Sequence, residues 1–334
     1  MDWSSGYSSR CYISVVDRLS WRDVDEINIT GGTVKRAMSD LRDSADINCV
    51  RYSSDREQII RVWLDAKQGG TSSHTPLFTG LATSPGRNIN GRYETNTLQC
   101  YSILKIAQDI LLPRGWYAPA AANGASLVKN LLSVIGAPMQ IAEHAPTLKY
   151  AIIAEQNENN LSMADKILDA MDWRMRISGR GEIIIEPIVR EPIGLFGASA
   201  NDVIELSLSV SYDWYNCPNV YRAVIGDTSA VARDDSLDSP FSTVNRGREV
   251  WVEDNGCYLS ENETLADYAR RRLKEAQQVN TSISYTRRFD PNIMVEDIVT
   301  LNYPEQGILG NYLITSQSID LSRGGRTSEE VIKV

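Results

Sequence analysis

The chain has 334 residues, 42% hydrophobic and 23% charged, which gives a folded protein of two or three domains and excludes wholesale disorder. Its 34 Lys+Arg against 43 Asp+Glu leave a net charge of −9, which argues against broad nonspecific binding to nucleic acid or anionic lipid. No stretch approaches the roughly 18 apolar residues of a membrane span, and the start, MDWSSGYSSRCYISVVDR, lacks a signal-peptide pattern, so the sequence predicts a soluble protein made and kept in a cytoplasm.

Residues 1–105 read as β-rich with one helix. Thr33 is placed to cap a helix whose apolar positions Val34, Ala37, Met38 and Leu41 follow helical spacing, and a strand then runs through Ile47 and Cys49. In IIRVWLDA, Ile60, Val62, Leu64 and Ala66 share one face of a strand, with Arg61 and Asp65 on the other. The polar stretch QGGTSSHT (68–75) reads as a loop, and LFTGLATS and NGRYETNTLQCYS as a further strand pair, giving a small barrel or sandwich.

Residues 106–200 change to short helices. SILKIAQDILL (102–112) is stopped by Pro113, SLVKNLLSVIG starts on Ser126, and SMADKILDAMDW carries Ser162 and Asp165 in capping-box spacing. RMRI-SGRG-EIIIEP follows as two strands around a Gly-containing turn, so this segment predicts a compact α+β domain.

Residues 201–334 return to strands. DVIELSLSVSYDWYN, NVYRAVIGD and REVWVED are strand-like, and 227–247 reads as a long polar loop. TLADYARRRLKEAQQ predicts a helix with Thr264 and Asp267 in capping-box spacing and Leu265, Ala269, Leu273 and Ala276 on one face. TSISYTRR is a strand. FDPNIMVEDIVTLNYPEQGILGNYLITSQSIDLS (289–322) then gives two antiparallel strands: Val295, Ile298 and Leu301 precede a turn at Pro304–Gly307, and Leu309, Tyr312, Ile314, Ile319 and Leu321 follow it. The order of helix followed by strands occurs in both the first and third segments, which predicts two similar β modules flanking the α+β domain.

Tools for catalysis are sparse. His74 and His144 have no His partner at metal spacing, and GxSxG, GxxxxGK[ST] and GxGxxG are all absent; GRG at 179–181 belongs to a hairpin. No cofactor or metal is expected. A glycan hydrolase needs only two carboxylates, for which Glu182, Glu186, Asp234, Asp235, Glu253 and Asp254 are candidates. Asp234, Asp235 and Asp238 lack the glycine and terminal glutamate of a calcium loop and read as a solvated acidic loop. Arg270, Arg271 and Arg272 fan around a helix among acids, which reads as a solvated face. The five cysteines are scattered and read as free thiols, and the sequons at Asn28, Asn262 and Asn280 as chance matches. Trp214 and Tyr215 suit either a core or an interface.

Four stretches, PLFTGLATSPGR leading to TLQCYSILKIAQDIL, LSMADKILDAMDWRMRISGRGEIIIEP, NCPNVYRAVIGD, and ADYARRRLKEAQQVNTSISYTRRFDPNIMVEDIVTLNY with its closing GNYLITSQSIDLSRGGRTSEEV, together resemble the central baseplate hub proteins of contractile phage tails and phage-tail-like bacteriocins. The resemblance implies a mainly β fold with an α+β insertion: two tail-tube-like β-barrel modules (1–105 and 201–334) flanking a small α+β domain (106–200). It implies a homotrimer whose six modules form a pseudo-sixfold ring joining the tail tube protein to the spike protein. Baseplate wedge proteins and the tape-measure protein are its further partners, and genomic DNA passes without specific binding. Its place is the virion tail baseplate, assembled in the bacterial host cytoplasm. Candidate interface residues are Trp214, Tyr215, Tyr285, Phe289, Tyr312, Ile314, Ile319 and Leu321. The competing readings are a tail-associated peptidoglycan hydrolase using paired carboxylates and an adhesin-like or scaffolding β protein.

Overall fold

The computed structural model describes residues 1–334 apart from 4, 40, 51, 53, 55, 92, 198–207, 213, 261–262, 279–280 and 323–324. The first six strands are β1 (Ser8–Val16), β2 (Asp23–Ala37), β3 (Asp43–Cys49), β4 (Gln58–Gln68), β5 (Thr71–Asn90) and β6 (Tyr93–Ser102). They pair antiparallel in the order β1–β4–β5–β6–β3–β2, and β2 pairs again with β1, so the six close on themselves. Each strand sends an apolar side chain inward: Ile13, Val34, Ile47, Val62, Phe78 and Leu98, all at most 1% exposed, form one core. Ile60, Val62 and Leu64 of β4 share the core face as the sequence predicts, while the opposite face is covered too, with Ile59, Arg61 and Trp63 also buried.

The predicted helix at 33–41 is absent, because its first five residues, Thr33 to Ala37, continue β2. Val34 and Arg36 are buried while Lys35 is exposed, a period of two, and Met38 is 48% exposed. Pairing with β3 on one edge and with a later strand on the other overrides a nine-residue pattern that by itself suited a helix. The repeated order of helix then strands therefore fails in the first segment. The predicted loop at 68–75 shrinks to Gly69–Gly70, whose φ values of 51° and 88° make a tight hairpin turn, and Thr71–Thr75 belong to β5.

The middle of the chain holds α1 (Lys105–Gln108), β7 (Tyr117–Ala118), α2 (Gly124–Leu132), β8 (Met139–Ile141), β9 (Ile152–Ile153), α3 (Asn160–Met171), β10 (Trp173–Ile177) and β11 (Ile183–Pro187). Helix α1 is much shorter than the predicted 102–112, since Ser102 ends β6 and Leu111 bridges to Asn159. The caps of α2 and α3 are Asn123 and Asn159, whose side chains accept from the backbone N–H of Ser126 (2.9 Å) and Ser162 (2.8 Å), in place of the predicted serines. Val128, Leu132, Leu161, Ile167, Met175 and Ile183 fill the core between these helices and the β10–β11–β8 sheet.

The rest comprises β12 (Pro192–Gly197), β13 (Ser209–Tyr212), β14 (Val220–Ile225), β15 (Thr228–Arg233), α4 (Thr243–Arg246), β16 (Trp251–Asp254), α5 (Leu265–Gln278), β17 (Thr281–Arg288), β18 (Ile298–Tyr303), β19 (Ile308–Asp320) and β20 (Arg326–Lys333). The predicted strand at 202–216 lies partly outside the described residues, as do the sequons at Asn262 and Asn280. The predicted loop at 227–247 contains β15 and α4. Strands β15–β14–β16 carry α5 on one face through Tyr221, Ala223, Ala269 and Leu273. Thr264 caps α5 as predicted, accepting from the Asp267 N–H at 3.1 Å.

Strands β12–β18–β19–β20–β17–β13 form a second large array around Phe196, Tyr285, Val299, Leu301, Ile314 and Val331. The β18–β19 hairpin is the predicted strand pair, and β12 lies parallel to β18. Strand β19 belongs to both arrays. Its first half, Ile308–Leu313, pairs with β18, and Ser316–Asp320 pair with Ala37–Thr33 of β2.

Candidate assembly site

Two junctions hold these units together, and both are built from polar groups. The SGRG turn between β10 and β11 docks on the outer face of the first ring. The Arg180 carbonyl accepts from Arg61 Nη2 (3.0 Å) and Trp21 Nε1 (3.1 Å), and the Gly179 carbonyl accepts from the Thr79 hydroxyl (2.8 Å). Asp23 of β2 completes the site by accepting from Arg61 Nη1 (2.7 Å) and Trp63 Nε1 (3.0 Å). Arg61 is thus on the outer face as the alternation predicts, yet only 5% exposed, because the turn covers it.

The second junction joins three units through arginines and carboxylates. Arg42, in the β2–β3 turn, donates to Asp165 of α3 (2.7 Å) and to the Met175 carbonyl of β10 (3.2 Å). Arg174 bonds Glu186 (2.9 Å) and the Glu296 carbonyl (2.6 Å), and Arg176 lies 3.0 Å from Asp297. Neither junction was singled out in the sequence. The available signal was two arginines on one strand face: Arg174 and Arg176 flank the core residue Met175 and so share the face opposite it.

The eight predicted interface residues divide sharply. Tyr285, Tyr312 and Ile314 lie in the second array's core and Phe289, Ile319 and Leu321 in the first ring's, all at most 4% exposed. Their side chains serve the interior of this chain. Trp214 and Tyr215 are 48% and 81% exposed, and Arg246 donates to the Trp214 carbonyl at 2.7 Å.

The carboxylates weighed for catalysis are engaged in other bonds. Glu182 accepts from Gln140 (2.7 Å), Glu186 from Arg174, and Glu253 from Arg222 (2.9 Å). Asp234 accepts from Ser239 and Gln277, and Asp254 from the hydroxyls of Tyr221 and Tyr268. Hydrogen bonds from Thr243 and Arg233 hold the Asp235 carboxyl below its ordinary range, the wrong direction for a general acid. His74 stacks on Trp63 (3.9 Å between ring centroids) with Nδ1 2.6 Å from Asp65, and His144 stands exposed beside Glu143. All five cysteines are free thiols, and burial pushes Cys11 up to about 12 and Cys49 up to about 11.

The whole architecture is shared with solved tail proteins, prophage tail proteins among them. The tail protein from Neisseria meningitidis MC58 superposes with a TM-score of 0.71 at 13% identity, covering 98% of this chain and 97% of that one. The 43 kDa tail protein of prophage MuSo2 from Shewanella oneidensis gives 0.68 at 12% identity, covering 98% of both chains. The E. coli c3393 protein, a type VI secretion component described as structurally similar to T4 bacteriophage tail proteins gp27 and gp5, gives 0.54 at 9% identity over 92% of this chain and 74% of its own. No protein-family model and no curated protein matches the sequence. From end to end the chain has the phage tail-protein fold.

Proposed function

We propose that this chain is the structural hub of a phage or phage-like tail baseplate, three copies of which form a pseudo-sixfold ring that joins the tail tube to the spike and lets DNA pass. The observation that carries this reading is the full-length likeness to two tail proteins, one of them from a prophage, at 97–98% of both chains in each pair. Each copy contributes two tube-like barrel modules, 1–105 and 201–334, with the α+β unit at 106–200 outside the ring. In support, six strands of the first module close on themselves, and residues 201–334 supply β13, β17, β18 and β20 to a second array that shares β19 with the first and takes its edge strand β12 (Pro192–Gly197) from before residue 201. The role is architectural and not enzymatic, in keeping with carboxylates that are engaged in ion pairs and hydroxyl bonds.

Trp214 and Tyr215 serve the contacts with neighbours in the baseplate: a second copy, the tube, the spike, the wedges or the tape-measure protein. Light scattering on purified protein should give three times the 37.2 kDa chain mass, and negative-stain images should show a threefold ring with a central opening. A monomer that forms no ring, alone or with its cognate tube protein, refutes the hub.

A further inference from the structure

Asp43 opens β3 directly across the ladder from Arg36 of β2; it is 9% exposed, and its Oδ1 is fully buried without a hydrogen-bond donor. Glu296, just before β18, has an Oε2 in the same condition. Both side chains line one small cavity of about 30 Å³ that also touches Arg36, Arg42, Met175 and Arg176. That is room for about one water molecule. Two ionised carboxylate oxygens are acceptors only, so neither can satisfy the other. One added proton turns one of them into a donor, and a water in the cavity can then bridge the two.

We propose that the Asp43–Glu296 cavity is a proton-operated latch: one proton bound there ties the β2–β3 turn of the first ring to segment 294–297 of the second array across β10, and its release loosens that tie. The balance is a single proton taken from solvent and held between two carboxyl groups, with no other reactant.

The surrounding charges explain why these two acids differ from their neighbours. Asp43 faces Arg36 from β2 and the Ser102 hydroxyl from the end of β6, with Arg176 of β10 on the same cavity wall beside Arg36. Glu296 faces Arg42, Arg174 and Arg176, with Glu186 opposing them. Those arginines are already engaged: Arg42 with Asp165, Arg174 with Glu186, Arg176 with Asp297, and Arg36 with the Leu77 carbonyl. Asp297 in turn accepts from the Met294 N–H at 2.8 Å. Burial therefore raises the Asp43 carboxyl from 3.8 to about 7 in spite of Ser102 and Arg36, and raises Glu296 in spite of its three arginines. A carboxyl raised on folding makes the native state bind its proton more tightly than the unfolded chain does. Its contribution to stability is complete below 3.8 and is lost as pH rises through about 7.

The full-length protein tests this by thermal melting and amide hydrogen exchange from about pH 5 to about pH 8, spanning the Asp43 range. Tm and the protection of 36–43 and 293–297 should fall across the window in wild type. Asp43→Asn, whose amide supplies a fixed donor, should flatten both and exceed wild type at the alkaline end, and Glu296→Gln should reduce the slope. A wild-type profile flat in the window, or D43N retaining the full slope, overturns the latch. Should D43N fail to fold, carboxyl-carbon NMR on wild type decides: an Asp43 midpoint near 7 supports the latch, and one near 3.8 refutes it.

Discussion

Arg287 of β17 and Glu329 of β20 form a two-bond ion pair, 2.8 Å at Nε and 2.6 Å at Nη2, with side chains only 1% and 0% exposed. Gln317 of β19 donates to the same glutamate at 2.6 Å and to the Ile293 carbonyl at 2.9 Å. One buried carboxylate thus gathers three strands and the segment leading to β18.

Breaking this pair from one side should be far worse than removing it whole. Glu329→Gln strands the buried guanidinium and should cost about 3–5 kcal/mol, whereas the double variant Arg287→Met, Glu329→Leu should cost much less. Urea unfolding of the two variants compares them. A single variant within about 1 kcal/mol of wild type would show that water reaches Arg287.

The SGRG turn leaves no room at its first glycine. A Cβ on Gly179 would stand 2.0 Å from the Pro76 carbonyl oxygen and 2.4 Å from its carbon, both backbone atoms of β5. Gly179→Ala should lift the turn off the ring, break the bonds from Thr79, Arg61 and Trp21, and cost about 1–3 kcal/mol or more. Calorimetry should show an early transition for the α+β unit. A single unshifted peak would mean that the turn is dispensable for docking.

Where local pattern and tertiary pairing agree, the sequence was legible. Ile60, Val62 and Leu64 fall two apart because that side of β4 faces the first ring's core, and Leu265, Ala269 and Leu273 share a helix face for the same reason. Residues 33–41 were not, since their helical spacing lost to strand pairing, with β3 directly after the turn on one edge and with β19, far along the chain, on the other. Tyr312 and Ile314 read as patterned and apolar, which fitted interface and core equally; only the path of β19 from one core to the other separates these. The arginine junction was hidden because Arg42, Arg174 and Glu296 become neighbours through tertiary docking alone.

Hydrolase activity should be absent. Glu182, Glu186, Asp234, Asp235, Glu253 and Asp254 all accept bonds from side chains of this protein. Purified protein should leave peptidoglycan intact, and Glu182→Gln, Asp234→Asn or Glu253→Gln should not alter any background signal. Reproducible turnover abolished by one of these amides would restore the enzymatic reading.

The proposed passage of DNA requires that this chain not hold it, and the arginine-rich helix is where that requirement is most at risk. Phosphate binding draws its free energy from counterions released by cations that are available for pairing. In α5, Arg270 is paired with Asp267 (2.9 Å), Arg271 with Glu263 (2.8 Å) and Glu275 (3.1 Å), and Arg272 also with Glu275 (3.1 Å). Three successive arginines are therefore offset by acids of the same helix and its preceding turn, within a chain of net charge −9. Duplex DNA should show no anisotropy change at physiological salt up to about 10 μM protein, the middle of the usual nonspecific range. Arg270→Ala and Arg272→Ala should leave that result unchanged. Micromolar binding with a steep salt dependence, weakened by either substitution, would mean that α5 presents cations to the nucleic acid and would count against passage without retention.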